Sequence, residues 1–193
     1  MEPRISEKKR ALIETATRLF GQFGYHAVGI DRIIAESQVA KMTMYKYFPS
    51  KSKLIVEVLN TKNAVLTADI ATAVNTAITP IDKLHAVFLW HDAWFKSENF
   101  SGSMFNNAAA EFQTTENEIL AAVAAQKESF IRMLENILKE IVDADNATRL
   151  ANRCMLLLDG ATVTAQVSKH LDAALEAWEI TSTLVENERL QLA

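Results

Sequence analysis

Cysteine occurs once in this 193-residue chain, proline three times and glycine five times. A lone Cys154 excludes an internal disulfide and a multi-cysteine zinc site within one chain. The prolines stand at Pro3, Pro49 and Pro80, where none interrupts a helical pattern. The glycines do not cluster, so there is no phosphate-cradling loop. His26, His85, His91 and His170 have no paired metal-ligand spacing, and no metal or cofactor is expected. Nothing local pairs Glu111 with Asp159 as catalytic carboxylates, so the chain does not read as an enzyme. No apolar run approaches a membrane span, and the charged start (Arg4, Glu7, Lys8, Lys9, Arg10) has no apolar signal core behind it. The expectation is a cytoplasmic protein.

What is present is helical periodicity. No segment alternates with the period of a strand, and there is no internal repeat or low-complexity tract. Leu12, Ala16, Leu19, Phe20 and Phe23 make one apolar stripe on a first helix from Ser6 to Phe23, ended by Gly24. Ser50, after Pro49, caps a long helix from Lys51 to about Asn75, with Ile55, Leu59, Leu66 and Ile70 inward. Pro80 opens the next, and a helix from Thr115 to about Val142 follows. Asp143 to Asn146 reads as a turn. Two final helices, about Ala147 to Lys169 and Leu171 to Leu190, carry small residues (Gly160, Ala161, Ala165, Ala173, Ala174, Ala177) that permit close approach. The fold class is all-α: a three-helix N-terminal domain, residues 1–50, and a helical body, residues 51–193.

Net charge is −4, but it is unevenly spread. Through Lys53 there are ten Lys and Arg against five Asp and Glu, or +5; the remaining 10 and 19 give −9. A basic head on an acidic body suits a chain that presents one end to a polyanion.

The stretch from Gly29 to Lys53, GIDRIIAESQVAKMTMYKYFPSKSK, shows how that end is used. It reads as two short helices joined by a tight turn at Ser37, Gln38 and Val39. Ile30, Ile33 and Ile34 face inward from the first. The second, from about Ala40 to Tyr47, offers Lys41, Met42, Thr43, Tyr45, Lys46 and Tyr47 outward, and turns Met44 and Phe48 inward. In a helix-turn-helix the second helix enters the major groove. Lysine donates to guanine O6 and N7, methionine packs on a thymine methyl, and hydroxyls hold phosphates.

The pieces LFGQFGY, GIDRIIAESQV, TMYKYF and PSK, within Phe20 to Leu54, resemble the DNA-binding domain of the TetR family of bacterial transcriptional repressors. The resemblance implies that Thr43, Tyr45 and Lys51 clamp phosphates and that Lys41, Met42 and Tyr47 read bases or backbone. Two departures stand out. Gln38 occupies the turn position where the family usually has glycine, so a left-handed conformation there carries a steric cost. Gly29 and Ala40 stand where Ser or Thr usually caps the two helices, and alanine is a poor cap.

The body between Leu54 and Phe130 is rich in large soft side chains. Phe88, Trp94, Phe95, Met104, Phe105 and Phe130 are candidates to line a ligand site, with His91, Asn107, Glu111 and Gln113 as polar anchors. Each aromatic taken singly is equally a core residue. His91 lies on the apolar stripe itself, where a backbone carbonyl is its natural partner. The resemblance implies a small hydrophobic effector here and a homodimer through the last two helices. The function expected is a ligand-responsive repressor on a palindromic double-stranded DNA operator. The alternative is an all-α ligand-binding or adaptor protein whose helix-turn-helix no longer binds DNA.

Overall fold

The computed structural model describes residues 6–112 and 117–191. Among them are nine α-helices and no strand: α1 (Glu7–Phe23), α2 (Ile30–Ser37), α3 (Lys41–Tyr47), α4 (Lys51–Asn75), α5 (Pro80–Phe95), α6 (Met104–Glu111), α7 (Asn117–Leu138), α8 (Ala144–Ser168) and α9 (Ala173–Gln191). The all-α class holds.

Local chemistry explains most boundaries. Ser6 caps α1 by accepting from the Lys9 amide, and Gly24 ends it at φ 78°, a conformation that glycine adopts without penalty. Ser50 Oγ accepts from the Lys53 amide at 3.1 Å and caps α4. Thr79 caps α5 through the Asp82 amide, with Pro80 in the first turn where its missing N–H costs nothing. Two boundaries differ from expectation. The α-helix of α7 ends at Leu138, four residues short of Val142, and the expected start at Thr115 lies outside the described residues, as does Gln113. The expected turn at 143–146 is the first turn of α8. The Asp143 carboxylate accepts from the amides of Asp145 and Asn146, which holds its pKa below that of a free aspartate.

The chain divides into two compact units. One holds residues 1–63 with 104–124, the other 64–103 with 125–193. The division does not fall at residue 50, because the first half of α4 belongs with the N-terminal helices. Its Leu54, Ile55, Val58 and Leu59 are buried. Lys9 of α1 pairs with Glu57 of α4 at 2.5 Å. The core of the first unit also contains Leu12, Ala16, Leu19, Phe20, Tyr25, Val28, Ile33, Met44 and Phe48. Phe23, expected on the buried stripe, is instead 48% exposed, with the Arg32 guanidinium 4.2 Å over its ring. That face of α1 is covered by a cation and not by a core.

The second unit is built on α8 and α9, packed against each other and against α5. Phe88, Phe95, Leu134, Leu138, Leu150, Ala151, Leu158, Ala165, Ala174 and Val185 fill its centre. Cys154 sits there, 1% exposed, and burial pushes its thiol up to about 11. At neutral pH it carries almost no thiolate, the species that reacts.

Gln38, at the C-terminus of α2, adopts φ 56° and ψ 26°, the left-handed conformation that its place in the turn demands. A β-carbon there meets the carbonyl oxygen, a cost glycine escapes. Gln38→Gly is therefore expected to stabilise the chain by about 0.5 to 1 kcal/mol, less than the full strain because glycine also loosens the unfolded state. Urea unfolding checks it, and a loss of stability would mean that the side chain makes a compensating contact.

Candidate nucleic-acid interface

The helix-turn-helix is α2 and α3, held against α1. Ile33 of α2 and Met44 of α3 are fully buried, and Phe48 is 3% exposed. This fixes the roll of α3. With Met44 and Phe48 inward, Lys41, Met42, Tyr45 and Lys46 are exposed, while Thr43 and Tyr47 are half-buried at the flanks. Met42 is 83% exposed, an unusual state for a large apolar side chain with no cover. Ala40 caps α3 without a side-chain bond, as its methyl dictates, and Gly29 does the same for α2. No side chain therefore caps the amides at either helix start, although the Thr43 amide donates to the Ala40 carbonyl at 2.8 Å; uncapped N-terminal amides are the groups that phosphate oxygens bind.

Several expected readers have partners within the protein. Lys41 Nζ donates to Asp31 Oδ1 at 3.0 Å, and this bond raises the lysine pKa. The Tyr47 hydroxyl lies 2.7 Å from Ser6 Oγ, so α1 steadies the end of the recognition helix. Lys51 is half-buried; burial lowers its pKa, and the nearby Glu111 carboxylate opposes that shift. Lys9 is tied to Glu57 and lies over the Phe48 ring at 5.7 Å, which makes it a fastener between α1 and α4. Arg18 and Arg32 both pair with Glu36, holding its pKa down.

Of the ten residues expected around a ligand, Gln113 lies outside the described residues and the other nine do not share one unit. Phe88, His91, Trp94, Phe95 and Phe130 are in the second unit; Met104, Phe105, Asn107 and Glu111 are in the first. The structure brings His91 against Trp94, Phe95 and Phe130, with ring centroids 6.0, 6.1 and 5.8 Å away. Phe88 instead packs on Trp178 at 5.5 Å, and His85 stacks on the same Trp178 at 4.3 Å. His91 Nδ1 is 2.7 Å from the Val87 carbonyl, the backbone partner expected for it. Glu111 has a different employment. Its Oε1 accepts from the Tyr25 amide at 3.0 Å and its Oε2 from the His26 amide at 2.8 Å. Around it the Tyr25 hydroxyl donates to the Met104 carbonyl at 2.9 Å, and Phe112 packs on both Tyr25 and His26. The α1–α2 turn is thereby bound to α6.

Sequence reasoning also missed an open cleft of about 510 Å³ in the second unit, lined by Val74, Lys83, Arg132, Met133, Ile137 and Glu140 among others. Lys83 at its rim is neutralised by both oxygens of Glu140 at 3.1 Å. The signal was available in part, since Met133 and Ile137 stand four apart on one face of α7, but a cleft needs its second wall.

A three-helix unit with a buried seam and an outward-facing second helix is a helix-turn-helix DNA-binding domain. Comparison with known proteins gives the family. Residues 12–58 match the family described as bacterial regulatory proteins, tetR family. The chain is 41% identical over 56 residues to the HTH-type transcriptional regulator YuxN of Bacillus subtilis, which is itself uncharacterised; the match takes 29% of this chain and 19% of that protein. It is 38% identical over 55 residues to the HTH-type transcriptional regulator RutR of Escherichia coli, over 28% and 26% of the two. These matches span well under half of the curated relatives' length. The solved structure of a TetR-family transcriptional regulator from Streptomyces coelicolor superposes with a TM-score of 0.87 at 26% identity, over 95% of this chain and 97% of that one. The chain therefore carries a TetR-family DNA-binding domain over residues 12–58, within a fold that it shares along nearly its whole length with the Streptomyces coelicolor regulator. No helix among the described residues is long and apolar enough to cross a membrane.

Proposed function

We propose that this chain is a cytoplasmic repressor that binds a palindromic operator as a homodimer and is released by a small hydrophobic effector. The observation that carries the reading is the roll of α3, with Met44 buried and Lys41, Met42, Tyr45 and Lys46 exposed together. A face of two lysines, a tyrosine hydroxyl and a bare methionine matches the donors and apolar contacts of a major groove. The adaptor reading rested on Gln38 and Ala40, and both are accommodated without loss of the buried seam.

One recognition helix reads too few base pairs for useful specificity, so two copies on half-sites about one helical turn apart are required. The second unit offers a surface for pairing. Leu156, Val163 and Val167 of α8, together with Ile180 and Leu190 of α9, are between 47% and 75% exposed. Effector control is supported by α4, a single continuous helix that begins at Lys51 beside the phosphate-clamp position and ends at Asn75. By linkage, an effector that weakens DNA binding must itself be weakened by DNA to the same factor.

Selection of bound duplexes from a random pool tests the reading. A palindromic winner with a steep salt dependence is expected. On that operator Tyr45→Phe and Lys51→Ala should weaken binding uniformly across sequences, and Lys51→Ala should flatten the salt slope by about one. Lys41→Ala should cost about 1 to 3 kcal/mol on the preferred sequence and relax the choice at one position. Indifference of DNA binding to all three would mean that α3 is not the recognition helix.

A further inference from the structure

Lys41 is the first residue of α3, and the N-terminal residues of a recognition helix are the ones that meet base edges. Its Nζ donates to Asp31 Oδ1 at 3.0 Å, reaching across the turn to the first turn of α2. Both partners stand in solvent, the aspartate side chain 85% and the lysine 61% exposed. An ion pair this open adds little to folding stability. It also sets a carboxylate beside the surface assigned to DNA, where it repels the phosphates of any sequence. That repulsion falls on right and wrong sequences alike, so it lowers affinity without changing the ratio between them.

What the carboxylate does change is the reach of the lysine. A free lysine is a compact charge on a flexible four-carbon stem, and it settles on whichever phosphate lies near. Such a contact is the same on every sequence. With one N–H given to Asp31, the ammonium is anchored at the start of α3 and keeps two donors, which is what O6 and N7 of one guanine accept. We propose that Asp31 is a positioning residue for sequence specificity: it withholds Lys41 from the phosphates and directs it to a base edge. This rests on the recognition-helix reading above and assigns to a residue of α2 part of the discrimination made by α3.

The test measures the full chain on two duplexes of equal length, the sequence that the parent selects and a random one, by fluorescence anisotropy across a range of salt. Asp31→Ala removes the acceptor from an exposed position, and circular dichroism checks that the fold is kept. The ratio of the two affinities should fall by at least about 5-fold, the low end of what one base contact discriminates. On the random duplex the salt slope should steepen by about one, as the freed lysine takes up a phosphate. Asp31→Glu keeps a carboxylate and should recover part of the ratio. In a Lys41→Ala background, Asp31→Ala should raise both affinities together and leave the ratio alone, because only the repulsion is then removed. A merely structural role for Asp31 would move stability and both affinities, but not their ratio. An unchanged ratio in Asp31→Ala, or a fall of equal size with and without Lys41, would overturn the assignment. A parent that selects no sequence would overturn the recognition-helix reading and this one with it. A parent that selects one, with a ratio indifferent to Asp31→Ala, overturns the role of Asp31 alone.

Discussion

Glu111→Ala is expected to destabilise the first unit by about 2 kcal/mol, from two charge-assisted bonds to backbone amides that each contribute about 1.5 to 3 kcal/mol when sheltered and less when water can replace them. Water can reach the exposed His26 amide but not as readily the region of Tyr25, whose side chain is fully buried. The loss therefore falls mainly on the Tyr25 bond. Glu111→Gln retains one acceptor oxygen but sets an amide N–H₂ against the other donor, so about half the loss should remain. Urea unfolding followed by circular dichroism reads both. Gly24 provides an independent check: at φ 78° it sits where an added β-carbon would come 2.9 Å from Glu111 Oε1. Gly24→Ala should therefore destabilise through backbone strain and through displacement of the same carboxylate. Because the α1–α2 turn sets where α2 begins, operator affinity should fall several-fold in Glu111→Ala at temperatures where it is still folded. A Glu111→Ala protein within about 0.5 kcal/mol of the parent would show that water replaces the carboxylate at both amides.

That carboxylate also marks the limit of what the sequence discloses. Glu111 lies 86 residues from Tyr25, and no local pattern connects an acidic residue in a short helix with two amides in a distant turn. Its place among aromatic residues made it look like a ligand anchor. The contrast is with Met44 and Phe48, four residues apart, whose burial follows from helical spacing alone and sets the roll of α3. The cap at Ser50 was legible because its chemistry is local, and Pro80 marked the start of α5, whereas Ser6 was read as the first residue of α1 and not as its cap. Asp143 was legible as a polar turn residue but not as a cap, because the same Asp-rich stretch serves either purpose until the helix after it is placed. Phe23 failed for the opposite reason: its spacing is correct for the buried stripe, but it is half-exposed and the Arg32 guanidinium covers its ring. The Asp31–Lys41 pair, ten residues apart across the turn, was missed because Lys41 alone already had a reading.

Breaking the pairing surface should have the largest effect of all. Leu156, Gly160, Val163 and Val167 follow one another at i, i+4, i+7 and i+11, so they form a single stripe along α8. Leu156 is 72% and Val167 74% exposed, an arrangement that leaves a row of apolar side chains in water unless another surface covers it. Gly160 in the middle of the stripe is exposed, with nothing within 4 Å of an added β-carbon, so it leaves room for a second helix to approach. In the proposed homodimer a two-fold axis would set the stripe against itself and join the two α8–α9 pairs in a four-helix bundle. The double substitution Leu156→Asp, Val163→Asp places charges on that seam without touching the core of the unit. It should convert a particle of twice 21.5 kDa into one of 21.5 kDa by light scattering at micromolar concentration, with an unchanged circular dichroism spectrum. Operator affinity should then fall by at least about 100-fold, since the second half-site is no longer held at high effective concentration by the first. The two measurements must move together. A parent chain already monomeric at micromolar concentration would defeat the pairing assignment, and a monomeric variant that kept its operator affinity would show that one copy suffices to read the DNA.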